Sequence, residues 1–183
     1  FEHDFLATEG FVSLSRFTAM YGIVGLAEAV DELLAREGKD ARYGHDDEAN
    51  ALAHRIVHWL HEFVEARPMP YCAGTGDRPL LHSQAGLDSD TNTTVGSRLP
   101  VGTEPGLYEH ICAVTPNHDC FASGVSDIFH VEDTVTENPD AMVDIIRGAF
   151  AGGMRDFTFN VGSNDFIRIT GYLVRKSDLV DFA

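Results

Sequence analysis

The sequence predicts an α/β fold, because stretches of helical periodicity alternate with short β-branched and aromatic runs. Three observations carry this. Apolar residues recur at helical spacing between Phe17 and Arg36, and again from the acidic run Asp46-Asp47-Glu48 to about Ala66. Asn138-Pro139-Asp140 has the form of a helix start, with proline just inside it. Phe157-Thr158-Phe159-Asn160-Val161 and the residues from Phe166 onward have the composition of strands.

Taken in order, Phe5 to Phe17 is mixed, with Thr8-Glu9-Gly10 suggesting a turn. In the first long helix, Ile23, Leu26, Ala27, Val30, Leu33 and Leu34 share one face, and Glu37-Gly38-Lys39 ends it. Glu28 on this helix reads either as a polar group aimed at a cavity or as a solvated charge. The second helix carries the stripe Leu52, Ala53, Ile56, Val57, Leu60, Phe63 and Val64; Arg67-Pro68 stops it, and the acidic residues at its start complement the helix dipole. His54, His58 and His61 line up on this helix at i, i+4 and i+7. Three histidines so spaced could hold a transition metal. They flank the apolar stripe without a cysteine or carboxylate pattern, and no metal is assigned to them.

From Met69 to Pro105 the periodicity fades, and Gly, Pro, Thr, Ser, Asp and Asn dominate. A segment this long without regular structure is uncommon in a compact domain unless it binds something. Asn92 to Pro105 is its most informative part: the glycines permit close backbone approach and Arg98 and Glu104 supply opposite charges, so either a pocket-lining loop or a plain surface loop fits. His110-Ile111-Cys112-Ala113-Val114-Thr115 is strand-like and ends at Pro116-Asn117-His118. Ser123-Gly124-Val125-Ser126-Asp127 reads as a Gly/Ser loop at a strand end. After the Asn138-Pro139 helix, Gly152-Gly153 closes it, and Gly162-Ser163-Asn164-Asp165 is a turn.

Composition excludes several function classes. Acidic residues outnumber basic ones 29 to 13 for a formal charge of −16, a field that repels phosphate backbones and anionic membrane surfaces. No apolar run approaches the roughly 20 residues of a membrane-spanning helix. Cys72, Cys112 and Cys120 lack the spacing of a zinc or redox motif, and a reducing cytoplasm is expected. The chain opens at Phe1 and stops at Ala183 within patterned sequence, so a piece of a longer protein is expected.

The stretch Asp165-Phe166-Ile167-Arg168-Ile169-Thr170-Gly171-Tyr172-Leu173-Val174-Arg175 places one glycine inside a strand-like run flanked by arginines. Glycine within a strand marks a bulge, a bend or a close approach. It also suits storage of an unpaired electron, because an α-carbon without Cβ can flatten between the amide nitrogen and the carbonyl. Arg168, two further residues, Gly171 and Tyr172 resemble the radical-bearing loop of glycyl radical enzymes. With Thr8-Glu9-Gly10-Phe11, Tyr21 to Glu28, Arg42-Tyr43-Gly44-His45 and Ser123 to Asp127, the chain is similar throughout to the YjjI family of those enzymes. Thr170 stands where other branches carry Cys, Ser or Ala, which argues against a close match to pyruvate formate-lyase or anaerobic ribonucleotide reductase.

The resemblance implies that residues 1–183 are the C-terminal portion of a ten-stranded α/β barrel, with no internal boundary and with the radical loop at about 165–176 inserted into its centre. Gly171 stores the radical, while Ile169, Tyr172 and Leu173 help exclude water and oxygen and Thr170 is a supporting residue of the loop. Arg168 and Arg175 anchor the loop or serve an activase interface. The implied partners are a radical S-adenosylmethionine activase with an iron–sulfur cluster, which installs the radical, and a small organic substrate; a homodimer is a further expectation. No cofactor is expected in the chain itself. The thiyl cysteine is expected upstream, with Cys112 and Cys120 as outside candidates. The readings left open beside an enzyme are a radical-carrying spare-part subunit and an α/β binding domain in which Gly171 is only a bulge.

Overall fold

The computed structural model describes residues 5–83, 87–88, 93–162, 166–169 and 172–175; residues 87–88, 166–169 and 172–175 are described by their backbone pairing alone. Five helices are described: α1 (Phe5–Thr8), α2 (Leu26–Arg36), α3 (Asp47–Glu65), α4 (Leu107–Val114) and α5 (Pro139–Ala151). The described strands are β1 (Met20–Gly22), β2 (Leu80–His82), β3 (Leu87–Asp88), β4 (Thr93–Thr94), β5 (Ile128–Val131), β6 (Thr158–Val161), β7 (Phe166–Ile169) and β8 (Tyr172–Arg175).

The mixed α/β class holds, built from small sheets. β1 pairs in parallel with β2, and β5 in parallel with β6. A parallel bridge between Ser83 and Val125 joins the two pairs, so β1, β2, β5 and β6 lie in that order. Parallel neighbours need a crossover, and α2–α3 and α5 supply two of them. β3–β4 and β7–β8 are antiparallel. The described strands close no barrel.

The two helical stripes form the core. Leu26, Ala27, Val30 and Leu34 of α2 are buried, as are Ala49, Ala53, Val57 and Val64 of α3, while Leu52, Ile56 and Leu60 pack on them in part. Leu81, Phe121, Val125 and Phe129 complete the cluster from the sheet side. Leu33 and Phe63 are exposed instead: Phe63 stacks on Trp59 at 5.3 Å and carries Arg67 over its ring. α5 begins as expected, Asn138 Oδ1 accepting the Ala141 N–H at 3.3 Å with Pro139 in the first turn.

Three expectations are corrected. The helical periodicity read from Phe17 onward becomes helix only at Leu26, because Met20–Gly22 is taken up as β1 and Gly25, at φ 79°, turns the chain into the helix. Residues 110–115, expected as a strand, fall in helix α4 (Leu107–Val114), which buries His110, Ala113 and Val114 at helical spacing, and in the 3₁₀ turn Thr115–Cys120 that continues it. The stretch from Met69 to Pro105 holds β2, β3 and β4. Its segment 95–99 is neither surface nor open loop but core, with Val95, Ser97, Arg98 and Leu99 all buried.

Candidate functional site

The radical motif lies on the β7–β8 hairpin. Arg168 pairs with Leu173, Ile169 with Tyr172, and Phe166 with Arg175. Thr170 and Gly171, which stand between Ile169 and Tyr172 in the sequence, lie outside the described residues, as does Asp165. β7 lies against β6, whose parallel partner is β5, so the hairpin continues from the second half of the parallel sheet.

Across the sheet runs a buried polar layer that the sequence reading met only piecemeal. The segment 93–98 is strapped over the strand ends. Val24 and Val95 form an antiparallel bridge, the Gly25 N–H donates to Thr94 O at 2.7 Å, and the Gly96 N–H donates to Ile23 O at 2.7 Å. The Ser97 N–H donates to Ser83 Oγ at 3.0 Å, beside the Ser83–Val125 bridge. Arg98 then directs its Nε to Asp127 Oδ1 at 3.4 Å. His110 Nε2 meets Asp127 Oδ2 at 2.9 Å and the Ile128 N–H donates to Oδ1 at 2.7 Å. All three side chains are buried, and the His110 ring packs on Phe129 at 4.6 Å between centroids. Burial opposes ionisation of Asp127, but hydrogen bonding and charge from His110, with the Arg98 guanidinium and the Ile128 amide, outweigh it and hold the carboxyl below its ordinary range.

Arg98 and Glu104 are therefore not brought together. Arg98 is committed to Asp127, whereas Glu104, half-buried, accepts the Gly102 N–H at 2.7 Å within its own loop. A second branch of the layer runs through Tyr43, whose hydroxyl donates to Ser97 O at 2.9 Å and accepts from Asn117 Nδ2 at 2.9 Å; burial pushes this phenol upward. Asn117 Oδ1 in turn lies 3.3 Å from His54 Nδ1.

The His54 ring also meets that of His58 edge-on, at 6.1 Å between centroids. His58 and His61 lie 3.8 and 3.7 Å from Glu62 and Glu65, one turn along α3. The expectation that no carboxylate accompanies these histidines is thus corrected, because Glu62 and Glu65 follow His58 and His61 at i+4 on the same helix. Among the described residues, no group of three or more His, Cys, Asp or Glu side chains is arranged to hold a metal ion. Glu28 settles between its two readings: Oε1 accepts both the backbone N–H and the hydroxyl of Thr94, at 2.7 and 2.6 Å, and the residue also borders a surface cleft of about 390 Å³.

His118 emerges as a group that no motif flagged, and Cys120, an outside candidate for the thiyl cysteine, is placed beside Asp119. His118 is fully buried; its Nδ1 accepts the N–H of Val125 at 3.3 Å and of Arg155 at 3.0 Å, and its Nε2 has no partner. Two donors facing Nδ1 fix the neutral ring with its proton on Nε2, and burial keeps the imidazole below its ordinary pKa. Cys120 is buried beside Asp119, 3.4 Å away, and burial together with that carboxylate raises the thiol to about 12. Cys112 is exposed on α4. A thiol held at about 12 has almost no thiolate at neutral pH and is a poor nucleophile.

No helix among the described residues is long and apolar enough to cross a membrane. The model of the glycyl radical enzyme YjjI-like family matches residues 1–183. The chain is 48% identical over 179 residues to the protein YjjI of Escherichia coli strain K12, covering 98% of this chain and 34% of that protein. It is 40% identical over 182 residues to a protein of Haemophilus influenzae, covering 98% of this chain and 35% of that one. Neither relative's name states a reaction, and the chain spans about a third of the length of each. With the whole of its described architecture and its Arg168 to Tyr172 motif inside the matched region, the chain belongs to the YjjI-like glycyl radical enzyme family.

Proposed function

We propose that this chain is the radical-bearing part of a glycyl radical enzyme acting on a small organic substrate, with Gly171 as the residue that stores the radical. The observation that carries this reading is the sequence Arg168-Ile169-Thr170-Gly171-Tyr172, in which Ile169 pairs with Tyr172 across the two strands, in a chain that matches the family from end to end. A separate radical S-adenosylmethionine activase takes one hydrogen atom from the Gly171 α-carbon. The spin then moves to a cysteine outside this chain as its S–H hydrogen returns to Gly171, and the sulfur radical abstracts hydrogen from the substrate. Ile169, Tyr172 and Leu173 help keep water and oxygen from the radical, Thr170 supports the loop, and Arg168 and Arg175 anchor it.

In this reading β1, β2, β5 and β6 are wall strands of the barrel of the longer polypeptide, and the 100–105 end of the loop, beyond the buried segment 95–99, borders the substrate space. The Arg98 charge is already matched by Asp127, which leaves half-buried Glu104 as the one of the pair able to meet a substrate. Cys120, with its raised pKa, and Cys112, on the outer helix α4, serve as ordinary side chains.

The test is anaerobic electron paramagnetic resonance of the full-length protein after treatment with its activase. A glycine-centred signal is expected, absent in Gly171→Ala, and subsequent exposure to air cleaves the chain at Gly171 only in the activated sample. An active activase that yields no signal, or equal cleavage in activated and untreated protein, refutes the assignment.

A further inference from the structure

Helices α4 and α5 leave between them an apolar cavity of about 690 Å³, open to solvent and unconnected with the groups discussed above. Leu107, Ile111 and Cys112 of α4 form one wall; Ile145 and Gly148 of α5, with Gly152 that caps it, form the other, and no lining residue carries a charge. Gly148 lies in the last turn of α5, still inside the helix, where glycine is among the least favourable residues. Nothing among the described residues requires it there: a Cβ built on Gly148 meets none of their atoms within 4 Å.

We propose that this groove seats an apolar helix from the part of the longer family polypeptide that lies outside this chain, with Gly148 and Gly152 as the floor on which that helix rests. Three observations point to this occupant. The relatives are about three times as long as the matched region, so a mass of polypeptide twice the size of this chain must pack against some of its faces. The lining is uncharged in a chain of formal charge −16, so the surface selects its occupant by apolar burial and not by charge. A second copy would bring its own −16 to the contact, and that repulsion disfavours it. Two glycines one turn apart let a helix backbone approach more closely than any pair with side chains would.

The test uses the full-length protein and the variant Gly148→Leu. In an empty groove leucine improves the helix and its side chain extends from an unobstructed Cβ into open space, so the melting temperature stays or rises; in an occupied groove it collides with the seated helix. The expected result is a melting temperature lowered by at least about 4 °C. In parallel, Cys112 of the wild-type protein is alkylated with N-ethylmaleimide and followed by mass spectrometry of its peptide. Its rate is expected to be at least about tenfold below that of the urea-unfolded protein, and independent of protein concentration. Unchanged or raised stability of the leucine variant with alkylation at the unfolded rate overturns the proposal. So does protection of Cys112 that vanishes on dilution, which assigns the groove to a second copy. Should the leucine variant not fold, Cys112 alkylation in the wild-type protein decides alone.

Discussion

His118 offers a perturbation that needs no substrate. Its Nδ1 receives two backbone N–H groups, from Val125 just before β5 and from Arg155 just before β6, and its ring is fully buried. Protonating the ring puts a third N–H where only an acceptor fits, so the folded state holds the imidazole neutral. The causes of its lowered pKa are burial first, opposed by Asp156, Asp127 and Asp119 and assisted by Arg155. The unfolded chain protonates this residue near the ordinary value of 6.5, while the folded chain does so only at lower pH. Between those two values the unfolded state binds one more proton, so stability falls as the pH falls. The slope is at most about 1.4 kcal/mol per pH unit, and it ends once the pH passes the folded-state pKa. The assay is urea unfolding of wild type and His118→Asn at half-unit steps from pH 7.5 to 5.5. Asparagine retains an acceptor for the two N–H groups but does not titrate, so the difference between the two proteins is flat above pH 6.5 and shrinks below it. Parallel curves through the whole range would refute the reasoning. His118→Ala leaves both donors stranded, at about 1–3 kcal/mol each, at every pH.

Three further outcomes follow from the packing. Gly44→Ala places a Cβ 2.6 and 2.8 Å from the two methyl carbons of buried Leu99, at φ 94°; a loss of about 2–4 kcal/mol is expected by urea unfolding. Tyr43→Phe removes the hydroxyl between Ser97 O and Asn117 Nδ2, and about 1–3 kcal/mol of stability is expected to go with it, against well under 1 kcal/mol for an exposed tyrosine such as Tyr71. Cys120, at about 12, is expected to resist iodoacetamide at pH 8 in the folded protein, where about one thiol in ten thousand is ionised, and to react at an ordinary rate once the protein is unfolded.

What could be read from the sequence was whatever rests on local pattern. The α3 stripe is legible because burial on a helix repeats at its period, and Ala53, Val57 and Val64 fall where that period puts them. The start of α5 is legible because Asn138 and Pro139 act on the backbone immediately beside them. Helix α4 was not: eight residues give barely two turns, and Ile111 and Val114 weigh toward a strand until tertiary packing buries His110 against Phe129. The polar layer was illegible for another reason. Arg98, His110 and Asp127 belong to three segments with no local relation, and only the Ser83–Val125 bridge and the strap at 93–98 bring them together. Arg98 could be singled out as a charge in a glycine-rich loop, but its partner could not. The radical motif stands at the opposite extreme, since its residues are contiguous and their spacing is itself the signal.

The parallel sheet also sets an order of assembly. Ile128 meets Thr158 after 30 residues of chain, whereas Met20 meets Leu80 only after 60. Doubling the loop adds roughly 0.6 kcal/mol of closure entropy. More important, the shorter crossover contains a helix with its own cap, while the longer one must dock both α2 and α3 before β1 can find β2. The half that leads into the β7–β8 hairpin is thus the one favoured to condense first, and β1, three exposed residues at the edge, is the last strand to be zipped on and the first to be lost under force or denaturant.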